Sequence, residues 1–332
     1  LPHSYFIAAA SRSDPKTAAR RIRTMFVQTT IKGPVTFSGV GLHSGARVSM
    51  TVRPASANHG IWFHRSDVAA RDAMVPAHYL SVSVSKLCTV VQNAAGVQVS
   101  TIEHIMAALA GCGIHNALID IDGPEVPILD GSALAFVSAI LSKGVRQLDE
   151  PLRCFEVLRA VEIRDGAAFA RLEPAETLEI DFRIDFTASA IGRQAKSLAL
   201  ANGAFVRELS DSRTFCLQSD VDAMRSNGLA LGGSYDNAVV VEGDRVLTPG
   251  GFRHADEAVR HKMLDAMGDL ALAGAPIMGR YTGNRAGHAM TNRLLRALFA
   301  RPDAFRLIEV DHADHLRLPG VGVLRADIPA LA

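Results

Sequence analysis

The stretch Glu257 to Gly274, EAVRHKMLDAMGDLALAG, constrains the fold more than any other part of the chain. Val259, Met263, Ala266, Met267 and Leu270 recur at helical spacing and form one apolar stripe that needs a core to pack against. Asp256 and Glu257 stand where a first helical turn favours acids, and Gly274 stands where a helix favours stopping. The opposite side carries His261, Asp265 and Asp269 at i, i+4 and i+8. Residues four apart on a helix lie about 6 Å apart at Cβ, so an imidazole and a carboxylate placed this way can share one metal ion. The same polar stripe also reads as a solvated face, and the spacing alone does not choose between the two.

A second helix begins in STIEHIMAALAGCG. Ser100 followed by Glu103 three residues later matches a capping box, in which the Glu103 carboxylate bonds back to Ser100. His104 follows at once, and Gly111 ends the helix. Upstream, Phe26 to Pro54 reads as short strands with glycine turns, Gly60 to His64 as a further strand, and Asn93-Ala94-Ala95-Gly96 as the turn of a hairpin. Asn116 to Ile121 is a strand, and Ala133 to Lys143 a helix with Ser132 in place to cap it. Gly144 to Pro151 is polar and aperiodic and is read as a domain boundary. Beyond it, Phe155 to Arg164 and Phe169 to Glu173 read as paired strands, and LEIDFRIDF (Leu178 to Phe186) alternates without error. A short helix at Asp220 to Asn227, a strand at Ile277 to Tyr281 and a helix from about His288 complete the pattern. Both halves run through antiparallel strands, a His-bearing helix, a strand and another helix, which predicts a duplicated α+β unit.

The 332 residues leave room for two domains, and 48% hydrophobic content supports a sizeable core. A net charge of +1 offers no basic footprint for a nucleic acid. No apolar run reaches the roughly 20 residues of a membrane-spanning helix. Cys88, Cys112, Cys154 and Cys216 lack CxxC spacing, which argues against a cysteine zinc site and a disulfide framework and for a reducing cytoplasm. Residues 1–24, with Arg20, Arg21 and Arg23 near their end, are read as a disordered leader, and Met25 as the physiological start.

Seven motifs in a fixed order resemble the UDP-3-O-acyl-N-acetylglucosamine deacetylases, zinc enzymes of lipid A synthesis in Gram-negative bacteria. They are GVGLHSG (Gly39 to Gly45), STIEHIMAALAGCGIHN (Ser100 to Asn116), EVPILDGSA (Glu125 to Ala133), SRTF (Ser212 to Phe215), LGGSYDNAVVV (Leu231 to Val241), VRHKMLDAMGDL (Val259 to Leu270) and Gly287-His288. The resemblance runs from about residue 27 to about 300. It implies an α+β fold of two similar β-α-α-β sandwich domains packed against each other, with the active site between them. The expected domains are 25–147 and 148–310, with an acyl-chain insert at about 214–246 and a tail at 311–332.

Carried over residue by residue, the resemblance puts the zinc ligands on His104, His261 and Asp265. Iron(II) remains open, because imidazole and carboxylate suit it too. Glu103 falls on the general base, His288 on the general acid, Asp269 on the carboxylate that partners it, and Thr214 on a hydroxyl for the oxyanion. Lys262, Phe215 and His43 fall on substrate contacts, and Leu217, Val221, Met224, Leu229, Ala230 and Gly233 on an apolar passage for the acyl chain. The implied reaction is removal of the N-acetyl group from UDP-3-O-[(3R)-3-hydroxyacyl]-N-acetylglucosamine by a cytoplasmic monomer. The rivals are a deacetylase of another acylated amino sugar and a binding protein that has lost the chemistry.

Overall fold

The polar stripe His261, Asp265 and Asp269 is as buried as the apolar stripe behind it, so the solvated-face reading fails. The computed structural model describes residues 26–85 and 87–330, and the predicted leader 1–24 lies outside them. In the first half, strands β1 (Val27–Ile31), β2 (Val35–Val40), β3 (Arg47–Pro54), β4 (Ile61–Arg65) and β5 (Met74–Pro76) precede three short strands. These are β6 (Val82–Ser83), β7 (Val90–Gln92) and β8 (Gln98–Ser100). Helix α1 (Glu103–Gly111), strand β9 (Ala117–Ile121), helix α2 (Leu134–Lys143) and strand β10 (Val145–Pro151) follow.

The second half contains β11 (Arg153–Val157), β12 (Val161–Asp165), β13 (Ala168–Glu173), β14 (Leu178–Asp185), β15 (Arg193–Ala199) and a short helix α3 (Ala204–Glu208). It continues through β16 (Phe215–Leu217), α4 (Gln218–Ser226), β17 (Val239–Glu242), β18 (Arg245–Val246), α5 (Glu257–Ala271), β19 (Ile277–Asn284), α6 (His288–Phe299) and β20 (Phe305–Glu309).

The first sheet runs β2-β3-β9-β4-β5, with β9 antiparallel to β3 and parallel to β4. In the second sheet β12, β13, β19, β14 and β15 pair in the same order and with the same directions. The strand that follows the His-bearing helix is central in both. The chain therefore folds as two similarly built α+β regions packed together. Alternation explains the best-defined strands: in β14, Leu178, Ile180, Phe182 and Ile184 face the core while Glu179, Asp181, Arg183 and Asp185 do not.

Three expectations change. Phe155 to Arg164 is not one strand: the chain breaks after Val157, where Leu158 and Arg159 both donate backbone N–H bonds to the Ala304 carbonyl, and β11 lies between β19 and β20. The segment Gly144 to Pro151 is not irregular, because Val145–Pro151 pairs antiparallel with β1. This ribbon buries neither face of β10, so no alternation marks it. The strands β15 and β20 escape the hydrophobic pattern for the same reason, since neither has a buried residue. Finally, the capping box at Ser100 does not form. Ser100 ends β8, its hydroxyl donates to the Pro124 carbonyl at 3.2 Å, and Ile102 holds the N-cap position. Among the described residues no helix is long and apolar enough to cross a membrane.

Helices α1 and α5 pack directly on each other. A Cβ placed on Gly268 of α5 would stand 2.1 Å from the Glu103 carbonyl oxygen. Nothing larger than glycine fits, because the obstructing atom is backbone and cannot rotate away. Alanine would normally gain about 1 kcal/mol of helix propensity over glycine. Overpacking against a rigid wall costs about 1–3 kcal/mol or more. Gly268→Ala is therefore expected to lower Tm in thermal unfolding, and an unchanged or higher Tm would contradict so close an approach.

Candidate active site

The α1–α5 contact brings one side chain from the first half of the chain to two from the second. His104 is the second residue of α1, and His261 and Asp265 sit on successive turns of α5. One donor atom from each lies within 4.8 Å of the others. Asp265 Oδ1 is 3.3 Å from His261 Nε2 and 3.8 Å from His104 Nε2. The His261 Nδ1 faces the Ser212 carbonyl at 2.9 Å. A carbonyl only accepts, so Nδ1 carries the hydrogen and Nε2 keeps its lone pair for a metal. Burial, with repulsion from His261, pushes His104 down to about 3, and burial also lowers His261. Both rings are thus neutral, as ligands must be.

Burial opposes ionisation of Asp265, but His261, Lys262, His288 and His104 together hold its carboxyl well below the usual carboxylate range. Lys262 Nζ donates to Asp265 Oδ2 at 2.7 Å. Oδ1 is buried and has no hydrogen-bond partner among the described residues. An ionised oxygen left this way is costly unless a cation meets it. Two imidazoles and a carboxylate with no thiolate also make the donor set of an open, catalytic divalent-metal site. The residues present fit such an ion.

A second cluster adjoins the first. His288, the first residue of α6, places Nδ1 2.8 Å from Asp269 Oδ2, and its Nε2 stands 3.6 Å from Glu103 Oε1 and 3.9 Å from Asp265 Oδ2. Burial opposes a charge on this ring, yet Asp269, Glu103 and Asp265 outweigh it and push His288 up to about 9. Glu103 goes the other way for a carboxyl: burial pushes it up to about 7, with His288 opposing and Asp265 and Asp269 adding to the rise. Its Oε2 accepts the backbone N–H of Thr89 at 3.1 Å, not a bond from Ser100. A carboxyl raised toward neutrality and a protonated imidazole thus face each other beside the three donors.

Both clusters open into a cavity of about 800 Å³. It is bordered by Glu103, His104, His261, Lys262, Asp265 and His288, and by Thr214, Phe215 and His43. Leu217, Val221, Met224, Ala230 and Gly233 line it, whereas Leu229 is not among the lining residues and is 37% exposed. The Phe215 ring meets His261 edge-on at 6.3 Å.

Glu125 carried no expectation. The buried carboxylate of Glu125 accepts from the backbone N–H of His43 and Ser44, from the Ser44 hydroxyl and from the Thr101 hydroxyl, all within 2.7–3.0 Å. It ties the His43 loop to the entry of α1, where Thr101 has φ +56°, a strained value for a β-branched residue. Gly41 makes room for it, since a Cβ there would fall 2.3 Å from Glu125 Oε2. The signal was a lone acid in the apolar run EVPIL, which sequence alone does not separate from a turn residue.

The family model for UDP-3-O-acyl N-acetylglycosamine deacetylase matches residues 28–300. A protein of Phenylobacterium zucineum with the name UDP-3-O-acyl-N-acetylglucosamine deacetylase is 51% identical over 280 residues, covering 84% of this chain and 96% of its own. Proteins of the same name from Shewanella sp. strain W3-18-1 and Shewanella oneidensis are 43% and 42% identical, covering 86% and 89% of this chain and 94% and 98% of theirs. The matched span takes in α1, α5 and every strand of the two sheets but β20, and at this identity and coverage the chain belongs to the UDP-3-O-acyl-N-acetylglucosamine deacetylase family.

Proposed function

We propose that this chain hydrolyses the acetamide of UDP-3-O-[(3R)-3-hydroxyacyl]-N-acetylglucosamine, releasing acetate and the free 2-amino sugar, the committed step of lipid A biosynthesis. The observation that carries the reading is the meeting of His104, His261 and Asp265 in one cavity with Glu103 and His288. The metal proposed is zinc, held by His104, His261 and Asp265, with iron(II) as the alternative for this donor set. Such an ion supplies Lewis acidity, polarising the amide carbonyl and lowering the pKa of water.

Glu103 takes a proton from the attacking water as the water oxygen bonds to the carbonyl carbon. The Thr214 hydroxyl and the His288 imidazolium donate hydrogen bonds to the oxyanion that forms. His288 then gives its proton to the nitrogen as the C–N bond breaks, leaving a neutral amine and acetic acid; the acid loses its hydroxyl proton to solvent as acetate, and the proton held by Glu103 returns to His288. Asp269 keeps His288 charged and aims its Nε2 toward Glu103. The apolar arm lined by Leu217, Val221 and Met224 receives the acyl chain, and Lys262, Phe215 and His43 contact the nucleotide-sugar portion.

Acetate release should be measured on UDP-N-acetylglucosamine with and without the 3-O-acyl group, before and after chelation. Turnover is expected only with the acyl group and only with metal. Equal turnover of the unacylated sugar would move the reading to a different substrate, and turnover of neither would leave a binding protein. Replacing Glu103 with Ala should leave one metal per chain, by elemental analysis, while turnover falls by about two orders of magnitude or more. Full activity in that variant would remove Glu103 from the mechanism.

The pH profile should be bell-shaped. Glu103 must be ionised, so activity is lost as pH falls through its raised value; His288 must be protonated, so activity is lost as pH rises through its raised value. A bound cation lowers both, placing the limbs below about 7 and about 9. Asp269→Asn removes the largest influence that raises His288, so the basic limb should move to lower pH. A basic limb that stays in place would separate Asp269 from the His288 proton.

A further inference from the structure

Between them, Glu103 and Asp269 offer four carboxylate oxygens to the site, and their pairing is not random. His288 faces one oxygen of each: Asp269 Oδ2 at 2.8 Å and Glu103 Oε1 at 3.6 Å. The remaining two oxygens are both taken by a single residue. Thr89 donates its backbone N–H to Glu103 Oε2 at 3.1 Å and its hydroxyl to Asp269 Oδ1 at 2.5 Å. Its own carbonyl accepts the N–H of Ile102, the N-cap residue of α1, at 3.4 Å. Thr89 is 3% exposed and sits directly before β7, in the first half of the chain, whereas Asp269 belongs to α5 in the second.

We propose that Thr89 is a positioning residue for the acid–base pair. By occupying the outer oxygen of each carboxylate, it leaves Glu103 Oε1 and Asp269 Oδ2 turned toward His288. The two carboxylates are held by one residue, so the base and the partner of the acid keep their spacing together. Without the hydroxyl, Asp269 Oδ1 is a buried anionic oxygen lacking its donor, and the carboxylate is free to rotate away from His288 Nδ1. A threonine suits the task because its branched Cβ restricts χ1 and so limits the directions its hydroxyl can take.

The inference rests on the deacetylase reading, and the test separates the two. Thr89→Val keeps the shape and the backbone donor and removes only the hydroxyl; Thr89→Ser keeps the hydroxyl. In the acetate-release assay on the metal-loaded protein, Thr89→Val should lose roughly ten- to a hundredfold in kcat, the scale of second-layer partners. KM should stay within about twofold and metal content should be unchanged, because neither substrate nor ligand contacts are altered. Thr89→Ser should recover most of the loss. In an Asp269→Asn background, Thr89→Val should add little, because the two act through one bond. Wild-type kcat in Thr89→Val overturns the inference, as does a loss that Thr89→Ser fails to restore or that persists in full in the Asp269→Asn background. If the unmodified chain releases no acetate, it is the deacetylase reading that fails; the Thr89 inference is then refuted as well, having no reaction to serve.

Discussion

Helix α5 touches helix α1 where Gly268 meets the Glu103 backbone, and the chemistry of this protein rests on that contact. The approach is closer than any side chain allows. It sets His104 against His261 and Asp265, and it places Glu103 beside Asp269 and His288. A larger spacing would leave each group in place on its own helix and still dissolve the site.

The charge placed there would be hard to bury otherwise. Glu103, Asp265 and Asp269 are each no more than 5% exposed, as is His104. Lys262 and the protonated His288 answer two of the three carboxylates, so one negative charge is in excess when Glu103 is ionised. That excess falls on Glu103, and a divalent cation would be drawn to the Asp265 oxygen that has no hydrogen-bond partner among the described residues. With a divalent cation added, the local balance becomes positive, which suits a reaction that develops an oxyanion.

Much of the frame was legible before the structure. The spacing in Glu257 to Gly274 gave both faces of α5, and the alternation in Leu178 to Phe186 gave β14, because a half-buried element must repeat with its own period. The metal donors were legible only through the ordered motifs: two of them share a helix at i, i+4, but His104 joins them through a contact that no local pattern encodes. Local reasoning also misled. Ser100 and Glu103 satisfy a capping-box pattern, yet Ser100 is held in a strand and the Glu103 carboxylate is claimed by Thr89. The strands β10, β15 and β20 were silent because they bury nothing, and Glu125 was silent because its four donors come from the loop after β2 and the entry of α1.

The repeated strand order puts α1 and α5 in corresponding places, so their junction is one between counterparts. The contributions are nonetheless unlike: α1 gives its opening turn, and α5 gives its middle. Either half by itself holds an incomplete set of donors. The donor set is therefore complete only while the two halves stay packed on each other.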